Sequence, residues 1–133
     1  MSSSLTPVKS STCPFCALSK QQVILETPTV LATFDRYPIS EGHTLVIPKR
    51  HIAHLFELPE GELRAAWSLV AKVRILLKAK YHPDGFNIGV NEGAAAGQTI
   101  GHAHIHIIPR YKGDVHDPRG GIRWVIPANA KYW

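Results

Sequence analysis

The run His102-Ala103-His104-Ile105-His106-Ile107-Ile108 constrains this chain more than any other feature. It alternates with a period of two. A β-strand sends alternate side chains to opposite faces, so the three imidazoles share one face, with successive Cα atoms of that face ~7 Å apart. Ala103, Ile105 and Ile107 then face a core. Such a strand needs a second layer over its dry face. Its imidazole face is costly unless the rings have partners or work.

The rest of the sequence supplies that second layer. Residues 60–81 carry Ala66, Trp67, Val70, Val73 and Leu77 at three- and four-residue steps, with Arg64, Lys72, Lys78 and Lys80 elsewhere. This predicts one long amphipathic helix, opened by Leu58-Pro59-Glu60 and ended by His82-Pro83-Asp84-Gly85. Short β-branched or apolar runs predict strands over residues 23–26, 29–34, 44–47, 86–91 and 99–108. Pro48 and Pro109 are read as strand stops, and a further strand-like run covers 122–126. Strands, one helix, then strands is the order of an α+β fold with an antiparallel sheet packed on a helix. Residues 1–11 read as a disordered tail, and residues 12–133 as a single domain with a C-terminal tail from about 111.

Composition narrows the classes. A chain of 133 residues with 44% hydrophobic and 19% charged residues folds around one core and is not a disordered polymer. Fifteen Lys and Arg against ten Asp and Glu give a net charge of +5, which suits an anionic partner without naming it. The basic residues are scattered and no aromatic stacking platform accompanies them, which argues against an RNA-binding protein. No apolar run reaches the ~20 residues of a membrane span, and the Ser-rich start has no apolar stretch of a signal peptide. The expectation is therefore a cytoplasmic protein without a nucleic-acid or membrane partner, whose two cysteines form no structural disulfide.

One histidine on a surface strand would need no explanation. Three in register, preceded by the Gly/Ala loop of residues 92–97, do. A purely metal-binding strand could use one or two of the rings, but too few carboxylates lie nearby in sequence to demand all three. A separate signal is Cys13-Pro14-Phe15-Cys16. By itself this pair is ambiguous between a redox motif and half of a zinc site, and the βαβ context of the redox motif does not follow it.

The segment from Asn91 through Gly97-Gln98-Thr99 and the three histidines to Pro109-Arg110 resembles the signature of the histidine-triad (HIT) family. Phe34-Asp35 and Gly42-His43-Thr44-Leu45-Val46-Ile47-Pro48-Lys49-Arg50-His51 resemble its N-terminal half, so the resemblance spans about residues 13–110. It implies a HIT-like α+β fold, an antiparallel sheet of about five strands with one long helix and a short one. It also implies cleavage of a nucleotide at its α-phosphate, with His104 as the nucleophile. That role suits imidazole, which is largely neutral near pH 7 and splits one difficult displacement into two. A backbone carbonyl is expected to hold the other nitrogen of His104. His106 and His43 match positions that contact the phosphate or the leaving group, and either could give it a proton. Asn91, Gly97, Gln98 and Thr99 match phosphate-contacting positions, and Asp35 the position that binds the ribose hydroxyls. The chemistry implied needs no catalytic metal, because histidines and backbone amides stabilise the phosphoryl charge.

In members with the cysteine knuckle, the resemblance implies a structural zinc on Cys13, Cys16, His51 and His102, with His54 as a rival to His51. It also implies a homodimer pairing through the helix and an adjacent strand, for which Trp67 offers apolar surface. The tail beyond Arg110 looks more like the microbial diadenosine-tetraphosphate-hydrolase-like branch. There Arg119-Gly120-Gly121-Ile122-Arg123-Trp124 is expected to hold phosphates beyond the α-position or to cover a second subunit's site, with Trp124 or Trp133 stacking on a base. Dinucleoside polyphosphates, nucleoside phosphoramidates and mixed anhydrides remain open as substrates. A nucleotidyl transferase, for which the chain looks short, and a non-catalytic nucleotide-binding module are the rival functions.

Overall fold

The computed structural model describes residue 10 and residues 12–133. The tail expected over residues 1–11 therefore lies, Ser10 apart, outside the described residues. Five strands form one antiparallel sheet: β1 (Val23–Glu26), β2 (Val30–Phe34), β3 (Thr44–Pro48), β4 (Gly85–Gly89) and β5 (Ile105–Arg110), in the order β1-β2-β3-β5-β4. One helix, α1 (Glu60–Tyr81), covers one face. The shorter helical elements are single 3-10 turns.

The helix forms where the periodicity predicts. It buries Ala66, Leu69, Val70, Val73 and Leu77 against Val30, Ala32, Val46, Ile105 and Ile107 of the sheet. Trp67 is 38% exposed and stands outside this face. Glu60 and Glu62 in the first turn, and Lys78 and Lys80 in the last, complement the helix dipole. His82 ends the helix in a left-handed conformation (φ 55°), its N–H on the Lys78 carbonyl. The Arg50 guanidinium, buried, donates twice to the Glu62 carboxylate (Nε to Oε1 3.1 Å, Nη2 to Oε2 2.7 Å), tying the end of β3 to the first turn of α1.

The opposite face of the sheet carries Leu31, Leu45 and Ile47, on which Phe15, Leu18 and Val23 pack. β5 alternates as its sequence demands: Ile105, Ile107 and Pro109 are buried and His106, Ile108 and Arg110 half-buried. Thus a dry face meets the helix and a wet face is left for chemistry.

The structure corrects several sequence-based boundaries. Ladder pairing in the last strand begins at Ile105 and not at Thr99, so His102 and His104 sit on the loop leading into β5. Pro109 does not end its strand, and Pro48 is itself the last residue of β3 and not the residue after it. Pro109 pairs with Phe86 and Pro48 with Val30, each at or next to a strand end, where a missing N–H costs least. The Pro48 carbonyl is taken by the His102 ring. The run at 122–126 is no strand. Gly120 and Gly121, both at positive φ, lead it into a 3-10 turn (Gly121–Val125).

Candidate functional site

A cavity of about 880 Å³ lies over the wet face of the sheet, lined by His43, His104 and His106 among others. Its first wall comes from β3 and the turn before it. Gly42 (φ +89°) makes that turn, and a Cβ there would meet a ring carbon of Tyr81 at 2.9 Å, so only glycine fits. The turn delivers His43, which is buried. Its Nδ1 accepts the backbone N–H of Ile39 at 3.2 Å, so neutral His43 carries its proton on Nε2. That Nε2 lies 3.0 Å from Nδ1 of His106 and 3.4 Å from Oδ2 of Asp35. His106 then accepts at Nδ1 and keeps its own proton on Nε2. A directed chain results, from Ile39 N–H through His43 to His106.

Burial holds both rings neutral. His106 is pushed down to about 4, chiefly by burial and then by the neighbouring His104 and His43, against the opposing pull of Asp35. His43 is lowered by burial, with Asp35 opposing. At neutral pH the Asp35–His43 contact is therefore a hydrogen bond and not an ion pair.

His104 is 9% exposed. Its Nδ1–H donates to the His102 carbonyl at 2.9 Å, as the sequence led us to expect, and this leaves the Nε2 lone pair free. The ring packs 5.0 Å from that of His106 and 4.9 Å from that of Phe15, both edge-on.

The other predicted contacts divide. Asn91, Gly97, Gln98, Thr99 and Asp35 all line the cavity. Gly97 has φ +96° and closes the 3-10 turn Ala94–Ala96, a conformation that favours glycine. Asp35 serves a turn as well, since Oδ1 accepts the Tyr37 N–H at 2.8 Å. The Gln98 side chain is engaged within its own loop. Its Oε1 accepts the Gly93 N–H, and its Nε2 donates to the carbonyls of Ala53 and Ile100, so the side chain is spent holding the loop.

Cys13, Cys16, His51 and His102 also converge. One ligand atom from each lies within 4.8 Å of all the others. The Sγ–Nδ1 separations are 3.3, 3.4 and 3.6 Å, and the two Nδ1 atoms are 3.2 Å apart. A tetrahedron with Zn–S of about 2.3 Å and Zn–N of about 2.05 Å has edges of about 3.5 Å (S–N) and about 3.3 Å (N–N). The donor set therefore fits zinc in both element type and spacing. His102 Nε2 donates to the Pro48 carbonyl at 2.7 Å, which turns Nδ1 toward the cluster. His54 stands outside it, with a buried Nδ1 that has no partner.

Sequence reasoning overlooked two features of the cavity. Phe15 sits between the two cysteines and is carried onto His104 by the knuckle. Ile39 orients His43 through its backbone. The first was readable once the knuckle was joined to the histidine strand, and the second depends on a chain path with no local signal. Of the tail, Gly121, Ile122 and Val125 supply a further wall. The tail arginines do not line the cavity of their own chain. Arg119 pairs with Asp117, and Arg123 donates to the carbonyls of Ala130 and Asn129. Trp124 and Trp133 also stand outside the cavity.

Comparison with known proteins gives the lineage of this arrangement. The family model described as HIT domain matches residues 18–113. An uncharacterized HIT-like protein of Methanocaldococcus jannaschii is 43% identical over 106 residues, covering 77% of this chain and 81% of that protein. Adenylylsulfatase HINT3 of Arabidopsis thaliana is 40% identical over 115 residues, covering 80% of this chain and 58% of its own. The asymmetrical bis(5'-nucleosyl)-tetraphosphatase of Schizosaccharomyces pombe is 40% identical over 93 residues, covering 70% and 51%. Among solved structures, a zinc-bound histidine triad family protein of Mycobacterium smegmatis superposes with a TM-score of 0.70 at 35% identity, covering 77% of this chain and 78% of that one.

Proposed function

The chain belongs to the HIT domain family, and we propose that it hydrolyses a nucleotide substrate at the α-phosphorus through a covalent intermediate on His104. The observation that carries this reading is the Nδ1–H of His104 on the His102 carbonyl, which fixes the tautomer with a nucleophilic Nε2 at the cavity. The two relatives with named activities, an adenylylsulfatase and a dinucleoside tetraphosphatase, both act on nucleotides by name.

In the first step, Nε2 of His104 attacks phosphorus. A P–N bond forms, the bond to the leaving group breaks, and the leaving atom takes up a proton. We assign that proton to the His106 Nε2–H, backed by His43 and Asp35. Water then attacks the same phosphorus and returns a proton to His106, the P–N bond breaks, and a nucleoside monophosphate leaves with His104 restored. Asp35 accepts the ribose hydroxyls, and the backbone of Gly97 and Thr99, with Asn91, surrounds the phosphoryl oxygens. Cys13, Cys16, His51 and His102 would hold a structural zinc, which pins the knuckle, and Phe15 with it, beside His104. Trp67 and Ile75, exposed on α1, and the unpaired edge of β4 are the surfaces through which we read the chain as a homodimer.

The test is release of AMP from an adenosine phosphoramidate and from diadenosine tetraphosphate, without added metal. His104→Ala should lower kcat/KM by ~10²-fold or more while AMP still binds. If wild type binds AMP but turns over neither substrate, the chain is a binding module and the catalytic reading fails.

A further inference from the structure

Residues 13–16 stand between two cavities. Pro14 and Phe15, with Leu18, line the cavity of His104. Cys13 and Pro14, with Ser10, Thr12 and His51, line a second one of about 340 Å³. Pro14, Thr99 and Ile100 belong to both, so these three residues are the wall between them. Phe15 fixes that wall to the catalytic ring. Its own ring lies 4.9 Å from that of His104 and 5.8 Å from that of His102, edge-on to both.

The same four residues carry the chain's two cysteines, and no disulfide joins them in the structure. Each sulfur therefore has one disulfide partner within the chain, the other. A turn brings the two together, with the Cys16 N–H on the Cys13 carbonyl at 3.2 Å. A four-residue turn keeps its end Cα atoms within about 7 Å, close to the span of about 4.4–6.8 Å that a disulfide bridges. With zinc bound, both sulfurs are thiolates, the form of cysteine that attacks an oxidant. Cys13 lines the smaller cavity, which has room for several molecules the size of water and so for a small peroxide.

We infer that Cys13 and Cys16 are a site of reversible oxidation by a hydroperoxide, and that their disulfide withdraws Phe15 from His104 and weakens nucleotide binding. The zinc-bound starting point and the nucleotide both rest on the reading proposed above. The Cys13 thiolate attacks the peroxide, so that an S–O bond forms and the O–O bond breaks. The departing oxygen takes a proton from water. The Cys16 thiolate then attacks the Cys13 sulfur, expels hydroxide and completes the disulfide. Two electrons pass from sulfur to oxygen, and zinc leaves with two of its four ligands gone. Across a tetrahedral zinc the sulfurs stand about 3.8 Å apart, and in a disulfide about 2.05 Å. Pro14 and Phe15 lie between them in the chain and move with that contraction. Phe15 is the one of the two whose ring packs on His102 and His104.

Oxidising the full-length chain with hydrogen peroxide tests this without turnover. Intact mass should fall by two hydrogen atoms relative to the reduced, metal-free chain, and a chromogenic chelator should register one zinc released for each disulfide formed. The His104 ring protons should shift in NMR spectra as Phe15 leaves, while the far-ultraviolet circular dichroism stays that of the reduced chain. AMP affinity by calorimetry should fall about tenfold, the worth of one aromatic contact. Dithiothreitol with zinc should restore it. Phe15→Leu keeps both thiols, and its AMP affinity should change little on oxidation. Thiols that stay reduced, oxidation to sulfinic acid in place of a disulfide, global unfolding of the oxidised chain, or unchanged His104 resonances each overturn the inference. So does an AMP affinity that falls as far on oxidation of Phe15→Leu as in wild type. A chain that carries no zinc as purified overturns the zinc reading alone, because the disulfide and the His104 resonances still decide the site. A reduced chain that binds no AMP overturns both the nucleotide reading and the weakening of binding, and the same resonances still decide whether the disulfide moves Phe15.

Discussion

Replacing His106 with Gln measures how the fold keeps this imidazole neutral. The ring is half-buried between His104 and His43, and its pKa is pushed down to about 4, against about 6.5 in an unfolded chain. Between these values the unfolded chain takes a proton that the folded ring refuses. The resulting stability is fully present above pH 6.5 and is lost as pH falls through the window toward 4. At about 1.4 kcal/mol per pH unit the gap amounts to about 3 kcal/mol, and partial solvent access at a half-buried ring reduces it to about 2. Gln can still accept from His43 Nε2 but does not titrate. Urea unfolding from pH 7.5 to 4 should therefore show wild type losing about 2 kcal/mol more than His106→Gln. Contributions common to both proteins, such as protonation at the cysteine–histidine cluster, cancel in the difference. In parallel, the His106 ring proton followed by NMR should titrate near pH 4. Stability curves that run parallel, or a ring that titrates near 6.5, would refute the reasoning.

With a zinc held as proposed, mass spectrometry should find about one equivalent in wild type and none in Cys16→Ser, and the variant's Tm should fall by about 10 °C. Retention of metal by the variant would place the zinc elsewhere. Gly42→Ala combines a positive φ with a 2.9 Å approach to Tyr81, and should cost about 2 kcal/mol or more in urea unfolding. A loss below about 0.5 kcal/mol would show that the turn relaxes. Gln98→Glu sets a carboxylate against the carbonyls of Ala53 and Ile100, and should cost about 2 kcal/mol and speed proteolysis of the loop at residues 92–98. Wild-type resistance would mean that the amide does not hold the loop.

What was legible in the sequence was whatever has a local period or a dense motif. The alternation at 102–108 fixed the two faces of β5, and the 3.6-residue period fixed the buried face of α1, although Leu69 and not Trp67 completes it. The convergence of Cys13, Cys16, His51 and His102 spans 89 residues between its first and last members, and only the family resemblance could join them. The strand-like run at 122–126 misled because β propensity reports apolar, β-branched content and carries no information on whether a partner strand is available. Here the preceding glycines turn the chain before it can pair. The loop-holding bonds of Gln98 were illegible for a related reason. A side chain placed by motif beside a phosphate can be spent on its own loop, and only the path of Ala53 reveals that.

His102 explains why the histidine run can serve two sites at once. Its Nε2 reaches the Pro48 carbonyl in β3, its Nδ1 faces the cysteine knuckle, and its carbonyl accepts the Nδ1–H of His104. Three groups of one residue thus join the sheet, the knuckle and the next imidazole. Fixing the ring of His102 also fixes the peptide that orients His104, since the carbonyl and the ring belong to one backbone position. Phe15 completes the loop of contacts, because it touches the rings of both His102 and His104 from between the two cysteines. The departure from ladder pairing before Ile105 is what permits this. A residue held in a continuous strand would give its carbonyl to a neighbouring strand or edge, whereas on the loop the His102 carbonyl is available to His104. The alternation that predicts one imidazole face therefore survives past the end of the strand, and the break in pairing gives that face its hydrogen-bonded orientation.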